Sequence, residues 1–475
     1  MQQEVSSIDG RPGLKIVVID DDPTGSQAVH SCPLLLRWDQ AALLEGLKDP
    51  SPLLFLLANT RALAPDQARQ RVLEICRALA PALAQAQRCG WIRHWLLVSR
   101  GDSTLRSHFP IEVDAITAEL GPFDATLLVP AFLEGGRTTV NGVHLLDGVP
   151  VHRTAFARDR LFAYDHSDLR AWVEQKSGGR IPAAAVQHLS LETLEGPPQH
   201  LRRCLAALRG NPIVAVDAER PAHLAALAAA VRQLLDPLAA AGSAATVPRR
   251  FLVQSAASLL GALADLPPQP RDPAALAALR RRGPEGPMPG LMLVGSHVPL
   301  ADDQLQRLLA DPGCAGVELS VPELALALQT GQPSLAALES DCREQLERSL
   351  AEGRTPVLYT SRGEQHCASP EERLALGMAI AALMARVAGS LAERLGYLIS
   401  KGGITTHTLL ADGLQLAGVQ LQGQLLPGLS LVLAGPAALP VITFPGNLGD
   451  AGSLWQAWRL LEAPGSLSSV AIDDR

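Results

Sequence analysis

Four apolar residues stand in a row from Ile16 to Ile19, and runs of the same density return along the chain: Leu53–Leu57, Leu96–Val98, Leu127–Val129, Ile213–Val216, Leu291–Val294, Val357–Tyr359, Tyr397–Ile399 and Val441–Phe444. Short continuous apolar runs bounded by turn residues predict strands buried on both faces. Between them lie Ala/Leu/Arg stretches with helical spacing, such as the one that follows LLFLLANT and runs to Leu83, and IEVDAITAEL at Ile111–Leu120. Strand alternating with helix predicts parallel βαβ units in doubly wound α/β sheets. Residues Leu266–Pro289 break the pattern with a Pro-rich, polar stretch. They divide the chain into an expected N-terminal domain, 1–270, and an expected C-terminal domain, 285–475. The stretch VNGVHLLDGVPV, Val140–Val151, alternates differently and predicts a β-hairpin or two short strands.

In doubly wound sheets ligands bind beyond the carboxyl ends of the strands. The polar residues that directly follow the apolar runs therefore become the candidates. The first run ends in Asp20, Asp21 and Asp22, then Pro23, Thr24 and Gly25 turn the chain. Adjacent carboxylates repel, and burial sharpens the repulsion. A turn alone needs fewer acids, so the run suits sugar hydroxyls, a cation or a general base. SRGDSTLRSHFP, Ser99–Pro110, crowds Arg100, Asp102, Ser103, Thr104 and Arg106 at a strand-to-helix junction, where two arginines suit a carboxylate or phosphate. Glu134, Gly135, Gly136 and Arg137 follow another strand.

In the second half, Lys401, Gly402 and Gly403 follow a strand, with Thr405 or Thr406 placed to cap a helix. Glycine lets the backbone approach a phosphate closely. VGSHVP, with Ser296, and FPGNLGD, with Gly446, Asn447 and Gly449, form two more strand–glycine–helix junctions. Three such junctions in one domain fit a nucleotide cradle.

Composition narrows the partners. The 475 residues are 47% apolar and 19% charged with net charge −7, the composition of a globular protein without a basic patch. Nucleic acid and an anionic membrane are not expected as partners. No apolar run is read as long enough for a transmembrane helix, and the first residues lack a signal core. The seven cysteines are scattered without a CxxC pair, so neither a disulfide framework nor a zinc site is expected, and a cytoplasmic location is. Only four of 41 basic residues are lysine, Lys15, Lys48, Lys176 and Lys401, which makes each worth checking. No histidine pair has metal-ligand spacing, no G-x-S-x-G elbow occurs, and no G-x-G-x-x-G follows the first strand.

Taken in order, DDDPTG (Asp20–Gly25), DSTLR (Asp102–Arg106), PAFLEGGRTTVNGVHLLDGVPVHRTAFARD (Pro130–Asp159), QSAAS (Gln254–Ser258), VGSHVP, YTSRGE (Tyr359–Glu364), KGGITT, GQLLPG (Gly423–Gly428) and FPGNLGD resemble the four-carbon acid sugar kinase family over nearly the whole chain. The resemblance implies an N-terminal sugar-acid-binding domain, a C-terminal nucleotide-binding domain and ATP-dependent phosphorylation of a threonate, erythronate or 3-oxo-tetronate. By position it implies that Asp21, Asp22, Asp102 and Arg106 meet the substrate, and that Ser296, Gly402, Gly403 and Gly449 meet the nucleotide. Many members have Lys at Arg100, Gly at Ser107 and a carboxylate at Ile404, which marks a divergent branch.

The residues themselves agree with that chemistry. Asp22 or Asp102 is the candidate base; Asp21, Arg100, Arg106 and Arg137 are candidates for the sugar acid. Ser296, Lys401, Gly402, Gly403, Thr405, Gly446, Asn447 and Gly449 are candidates for the nucleotide. Phosphoryl transfer also needs Mg²⁺, for which no ligands are assigned. The expected partners are a small sugar acid and ATP, with homo-oligomerisation left open. The alternatives are a sugar-acid-binding protein without turnover and a nicotinamide-dependent oxidoreductase.

Overall fold

The structure is a computed structural model that describes residues 13–22, 25, 29–236, 247–363, 365–367, 369–446 and 448–463. Pro23, Thr24 and Asn447 lie outside these residues. The chain divides into two compact units, Met1–Pro268 and Gln269–Arg475, each α/β. The stretch 271–284 belongs to the second unit. It forms a short helix, Pro273–Ala277, that puts Leu276 and Ala277 into that unit's core.

The first unit carries strands β1 (Leu14–Asp20), β2 (Cys32–Leu35), β3 (Leu53–Leu57), β4 (His94–Arg100) and β5 (Ala125–Val129). A hairpin follows, of β6 (Arg137–Val140), β7 (Val143–Leu146) and β8 (Val149–Pro150), then β9 (Gln187–Leu189), β10 (Ile213–Val216) and β11 (Phe251–Ser255). The main sheet runs β2-β3-β1-β4-β11-β5-β10-β9 with parallel neighbours throughout. The central parts of its inner strands are apolar because helices cover both faces. Ile16 to Ile19 and Leu53 to Leu57 are all buried. The helix Pro65–Arg88 packs its Val72, Cys76, Leu79 and Leu83 stripe on this sheet.

β1 is the middle of this design. β3 lies on one side of it and β4 on the other, so the chain changes direction across the sheet at β1. That switch point opens a crevice at the carboxyl ends. At the opposite end of β1, Lys15 is fully buried and donates to the carbonyls of Asp49 and Ser51, each at 2.7 Å. Burial pushes its ammonium down to about 8.

After the helix Pro273–Ala277 the second unit has a two-residue strand pair, β12 (Arg282–Gly283) and β13 (Gly286–Pro287). Its sheet contains β14 (Gly290–Val294), β15 (Cys314–Leu319), β16 (Thr355–Thr360), β17 (Tyr397–Lys401), β18 (Gly418–Leu426), β19 (Leu429–Ala434) and β20 (Leu439–Phe444). The order β15-β16-β14-β17-β20 is parallel, and β19 and β18 continue it antiparallel. This antiparallel pair was not expected; its turn is LLPGL, with Gly428 at φ +77°. β14, between β16 and β17, is again the switch point.

The expectation that no segment is long and apolar enough for a membrane span needs correcting. Ala375–Arg394 has a mean hydropathy of 1.7 over 20 residues. It overlaps the helix Pro370–Leu391, whose Leu383, Met384, Val387 and Leu391 are buried inside the unit. Half of that segment is buried, so much of its apolar surface serves the core.

Candidate functional site

The three aspartates end β1 between the two strands that flank it, and each flanking strand supplies an arginine. β4 pairs Arg100 directly with Asp20, and Arg100 Nη1 reaches Asp20 Oδ1 at 3.4 Å and Asp21 Oδ1 at 3.1 Å. The turn after β3 supplies Arg61. Its Nη2 and Nε grip the two oxygens of Asp21 at 2.6 and 3.1 Å, and its Nη1 reaches Asp22 at 3.2 Å and Asp102 at 3.8 Å. Arg61 thus joins all three loops. Sequence reading passed over it, because it lies in ANTRAL without a motif and its partners stand about 40 positions away on either side.

The acids do not behave alike. Asp20 is fully buried, and burial first of all pushes its carboxyl up to about 7; Arg100 opposes this, while Asp21 and Asp22 add to it. Asp102 is nearly as enclosed, yet Arg61 and Arg106 override burial and hold it well below the usual carboxylate range. Arg106 Nε donates to Asp102 Oδ2 at 2.9 Å, and the amide and hydroxyl of Thr104 donate to the same oxygen. The Arg106 guanidinium also lies 4.8 Å from the Phe156 ring centre. Behind Asp102, Gln254 Oε1, Ser255 Oγ and Trp172 Nε1 lack protein partners around a cavity of about 10 Å³, about the least that holds one water.

The turn that carries Asp102 and Arg106 is strained. Leu105 is buried with φ +66°, a conformation that costs a non-glycine residue about 1–2 kcal/mol. Neighbouring carbonyls are pinned by distant side chains. His144 Nε2, on β7, bonds the Ser103 carbonyl at 2.8 Å, and Tyr164 Oη donates to the Thr104 carbonyl at 2.6 Å. His144 Nδ1 lies 2.9 Å from Thr139 Oγ1, and burial pushes its imidazole down to about 4, so Nε2 carries the proton as a neutral donor. The β6–β7 turn, Asn141–Gly142, is fixed by Asp217, which accepts both amides at 2.9 and 2.8 Å. The expected hairpin is present, and it supports the Asp102 turn. Arg137, at its start, lies 5.9 Å from the Phe132 ring and donates to the Gly135 carbonyl; its Nε is buried without a partner.

The second unit builds its site from backbone. The turns after β14, β17 and β20 converge on Ser296. A Cβ on Gly402 would stand 3.5 Å from the Ser296 nitrogen, and one on Gly446 would stand 2.7 Å from its hydroxyl. Gly402 has φ +119°, which a side chain disfavours. Its amide donates to the Phe444 carbonyl at 2.9 Å, and Gly403 opens the helix Gly403–Thr408. Thr405 is buried against Gly295 and Gly402. Gly449 has φ +80°, and Gln304 Nε2 holds its turn through the carbonyls of Leu448 and Asp450 at 3.0 and 2.6 Å.

Lys401 differs from a free point charge. It is fully buried, its ammonium donates to the carbonyls of Pro445 and Gly446, each at 3.1 Å, and it lies 4.1 Å from the Phe444 ring centre. Burial pushes it down to about 7. Its direct partners are thus the turn after β20.

Two family models match in the same order as the units. A sugar-binding N-terminal domain covers residues 16–259, more than half of the chain, and a nucleotide-binding C-terminal domain covers residues 291–454. The chain belongs to the four-carbon acid sugar kinase-like family. Within this family it is 28% identical to the D-threonate kinase of Cupriavidus necator over 410 residues, 85% of this chain and 86% of that one. It is 31% identical to the D-erythronate kinase of Heliobacterium modesticaldum over 189 residues, 38% of this chain and 41% of that enzyme. A solved structure from Salmonella typhimurium shares the fold with a TM-score of 0.63 at 19% identity, over 94% of this chain and 99% of that one. The family's nucleotide-binding domain and its kinase relatives make this chain a kinase-like protein.

Proposed function

We propose that the chain transfers a phosphoryl group from ATP to a hydroxyl of a four-carbon sugar acid. One observation carries the reading: four aspartates interlock with three arginines at the switch point of a unit whose family model is sugar-binding. The relatives named as D-threonate and D-erythronate kinases support the substrate class.

The chemistry divides the residues. Carboxylates accept hydrogen bonds from sugar hydroxyls, and the Arg106 and Arg137 guanidiniums suit the substrate's carboxylate. Asp102, held ionised by donors on several sides, is the weaker base. Asp22 is the partly exposed carboxylate beside it, and we assign it the proton of the attacking hydroxyl. Ser296, Gly402, Gly403, Thr405, Gly446 and Gly449 form the seat of the phosphates, with Asn447, outside the described residues, assigned from the FPGNLGD sequence alone. Lys401 braces that turn.

Magnesium would enter with the nucleotide and neutralise phosphate charge. Among the described residues no group of three His, Cys, Asp or Glu side chains is arranged as a metal cage. That fits an ion which uses one or two carboxylates and otherwise the phosphates and water.

A second reading, sugar-acid binding without turnover, draws on Ile404. It is 40% exposed beside the glycine turn, where the family resemblance puts a carboxylate. Incubating the protein with ATP, Mg²⁺ and a panel of tetronates and oxo-tetronates separates the two. ADP release above the ATP-only background supports the kinase; binding of a sugar acid by calorimetry without ADP release supports the second reading.

A further inference from the structure

Arg61 joins Asp21, Asp22 and Asp102, and its own place is set from outside those three acids. The turn that carries it leaves β3 through Asn59, whose φ of +51° lies in the left-handed region. Thr60 follows, fully buried, and both its side chain and its carbonyl are held from the same segment. Its hydroxyl donates to Glu112 Oε1, and its carbonyl lies 3.1 Å from His108 Nε2. The same nitrogen lies 3.0 Å from the Leu63 carbonyl. Carbonyls only accept, so Nε2 carries a proton, and one imidazole spans the turn from Thr60 to Leu63 with Arg61 between them.

A charge at a helix end does not explain Glu112. It stands in the first turn of the helix Ile111–Leu120, where an acid on the surface suits the helix dipole. Here the residue is only 3% exposed, and an ionised carboxyl taken out of water is disfavoured unless it is paired. Burial first, and then Asp21, pushes its carboxyl up to about 7. What Glu112 gains at this place is the hydrogen bond from Thr60.

His108 and Glu112 belong to the segment that also carries Asp102 and Arg106. That segment closes a ring. Asp102 receives Arg61 at 3.8 Å, Arg61 follows Thr60 in the chain, and Thr60 returns to Glu112. A shift of the turn after β3 against this segment would move Arg61 relative to Asp22 and Asp102 at once.

We propose that Glu112 is a positioning residue which, with His108, fixes the turn from Thr60 to Leu63 and through it the Arg61 guanidinium that places Asp22 for the attacking hydroxyl. The part played in turnover rests on the kinase reading; the fixing of Arg61 does not.

The test uses the full chain. Glu112→Met keeps the length of the side chain and removes the acceptor. It should lower kcat with a tetronate about tenfold to a hundredfold, the scale of a small misplacement at the reacting groups, with ADP affinity by calorimetry unchanged. Glu112→Gln keeps an oxygen for Thr60 and should recover most of that loss. Thr60→Val removes the hydroxyl with little change of shape and should match Glu112→Met. The double variant should be no slower than either one, because both remove the same contact. Phenylglyoxal, which modifies accessible guanidiniums, reads the turn without substrate. The peptide with Arg61 should react faster in Glu112→Met and Thr60→Val than in the wild type, and as slowly as the wild type in Glu112→Gln. Unchanged labelling of Arg61 in both variants overturns the proposal, as does an unchanged kcat, a Glu112→Gln chain as slow as Glu112→Met, or a double variant whose losses multiply. ADP affinity that falls along with kcat also overturns it, since the acid would then support the whole fold. If Glu112→Met does not fold, Thr60→Val decides by the same rate and labelling. A wild type that releases no ADP with any tetronate overturns the kinase reading, and the labelling then decides whether Glu112 fixes the turn.

Discussion

The two units place their candidate sites at the same topological point and build them from opposite materials. In the first unit, β1 lies between β3 and β4, and the crevice is filled by charged side chains that pair across loops. In the second, β14 lies between β16 and β17, and the crevice is shaped by glycine turns and backbone groups. The difference follows from the ligands proposed for each. A sugar acid offers several hydroxyls and one charge, which individually placed carboxylates and arginines can distinguish. A polyphosphate offers repeated equivalent oxygens, for which close backbone approach suffices. Each unit also buries a lysine on two backbone carbonyls, Lys15 away from the crevice and Lys401 at its edge.

The largest effect should separate the units by function. Asp22→Asn keeps size and removes basicity, and loss of a positioned base lowers kcat about 10²–10⁴-fold. ADP affinity by calorimetry should stay unchanged; an unchanged kcat would make the acidic run structural. Next is Arg61→Met, which leaves Asp21, 3% exposed at its side chain, without its bidentate partner. Breaking a buried pair from one side costs about 3–5 kcal/mol, so denaturant unfolding should show a loss of that size in the first unit. A loss under 1 kcal/mol, the scale of surface pairs, would mean that Arg61 is no hub.

Lys401→Met tests the other unit. It removes two charge-assisted hydrogen bonds to the turn after β20, each worth about 1.5–3 kcal/mol. Nucleotide affinity should fall about tenfold to a hundredfold. Sugar-acid affinity, titrated without nucleotide, should survive; its loss with ADP binding intact would reverse the roles of the units.

The smallest effect is a change of slope with pH. Asp20 keeps its proton in the folded chain up to about pH 7, whereas the unfolded chain releases it near pH 4. Between these values the folded state binds the extra proton, so stability falls as pH rises. Asp20→Asn removes this term and should flatten the decline in unfolding free energy from pH 5 to 7. Glu112, also pushed up to about 7 by burial, leaves a remainder. An unaltered slope would place the Asp20 proton elsewhere.

The strands that could be read from sequence are those buried on both faces, because a continuous apolar run needs no knowledge of its neighbours. β15 escaped because its exposure alternates, and the β18–β19 pair because its glycine and glutamines interrupt the run. The glycine turns of the second unit were visible for a similar reason: what a glycine permits is a property of its own backbone. The charged site was visible only in part. Asp21, Asp22, Asp102 and Arg106 stand out by crowding, and the structure brings them together. Arg61, His144 and Tyr164 act on partners about 40 to 60 positions away, and nothing local announces them. A nucleotide ligand at Lys401 could not be distinguished from a buried brace, since burial depends on the whole sheet.

The strained turn at Leu105 also has a consequence for the order in which the chain acquires its shape. Its two carbonyl partners, His144 and Tyr164, follow the carbonyls they hold by 41 and 60 residues. During synthesis β1, β3 and β4 can pair before either partner has left the ribosome, because those strands precede the hairpin. The Asp102 turn then lacks the contacts that offset its left-handed leucine, and closing a loop of this length has its own entropic cost. Only the β2-β3-β1-β4 part of the sheet can thus pair early, since β11, β10 and β9 follow the hairpin, and the geometry of the Asp102–Arg106 pair is completed once the hairpin has docked. A nascent chain released before Tyr164 would have the strands without the finished turn.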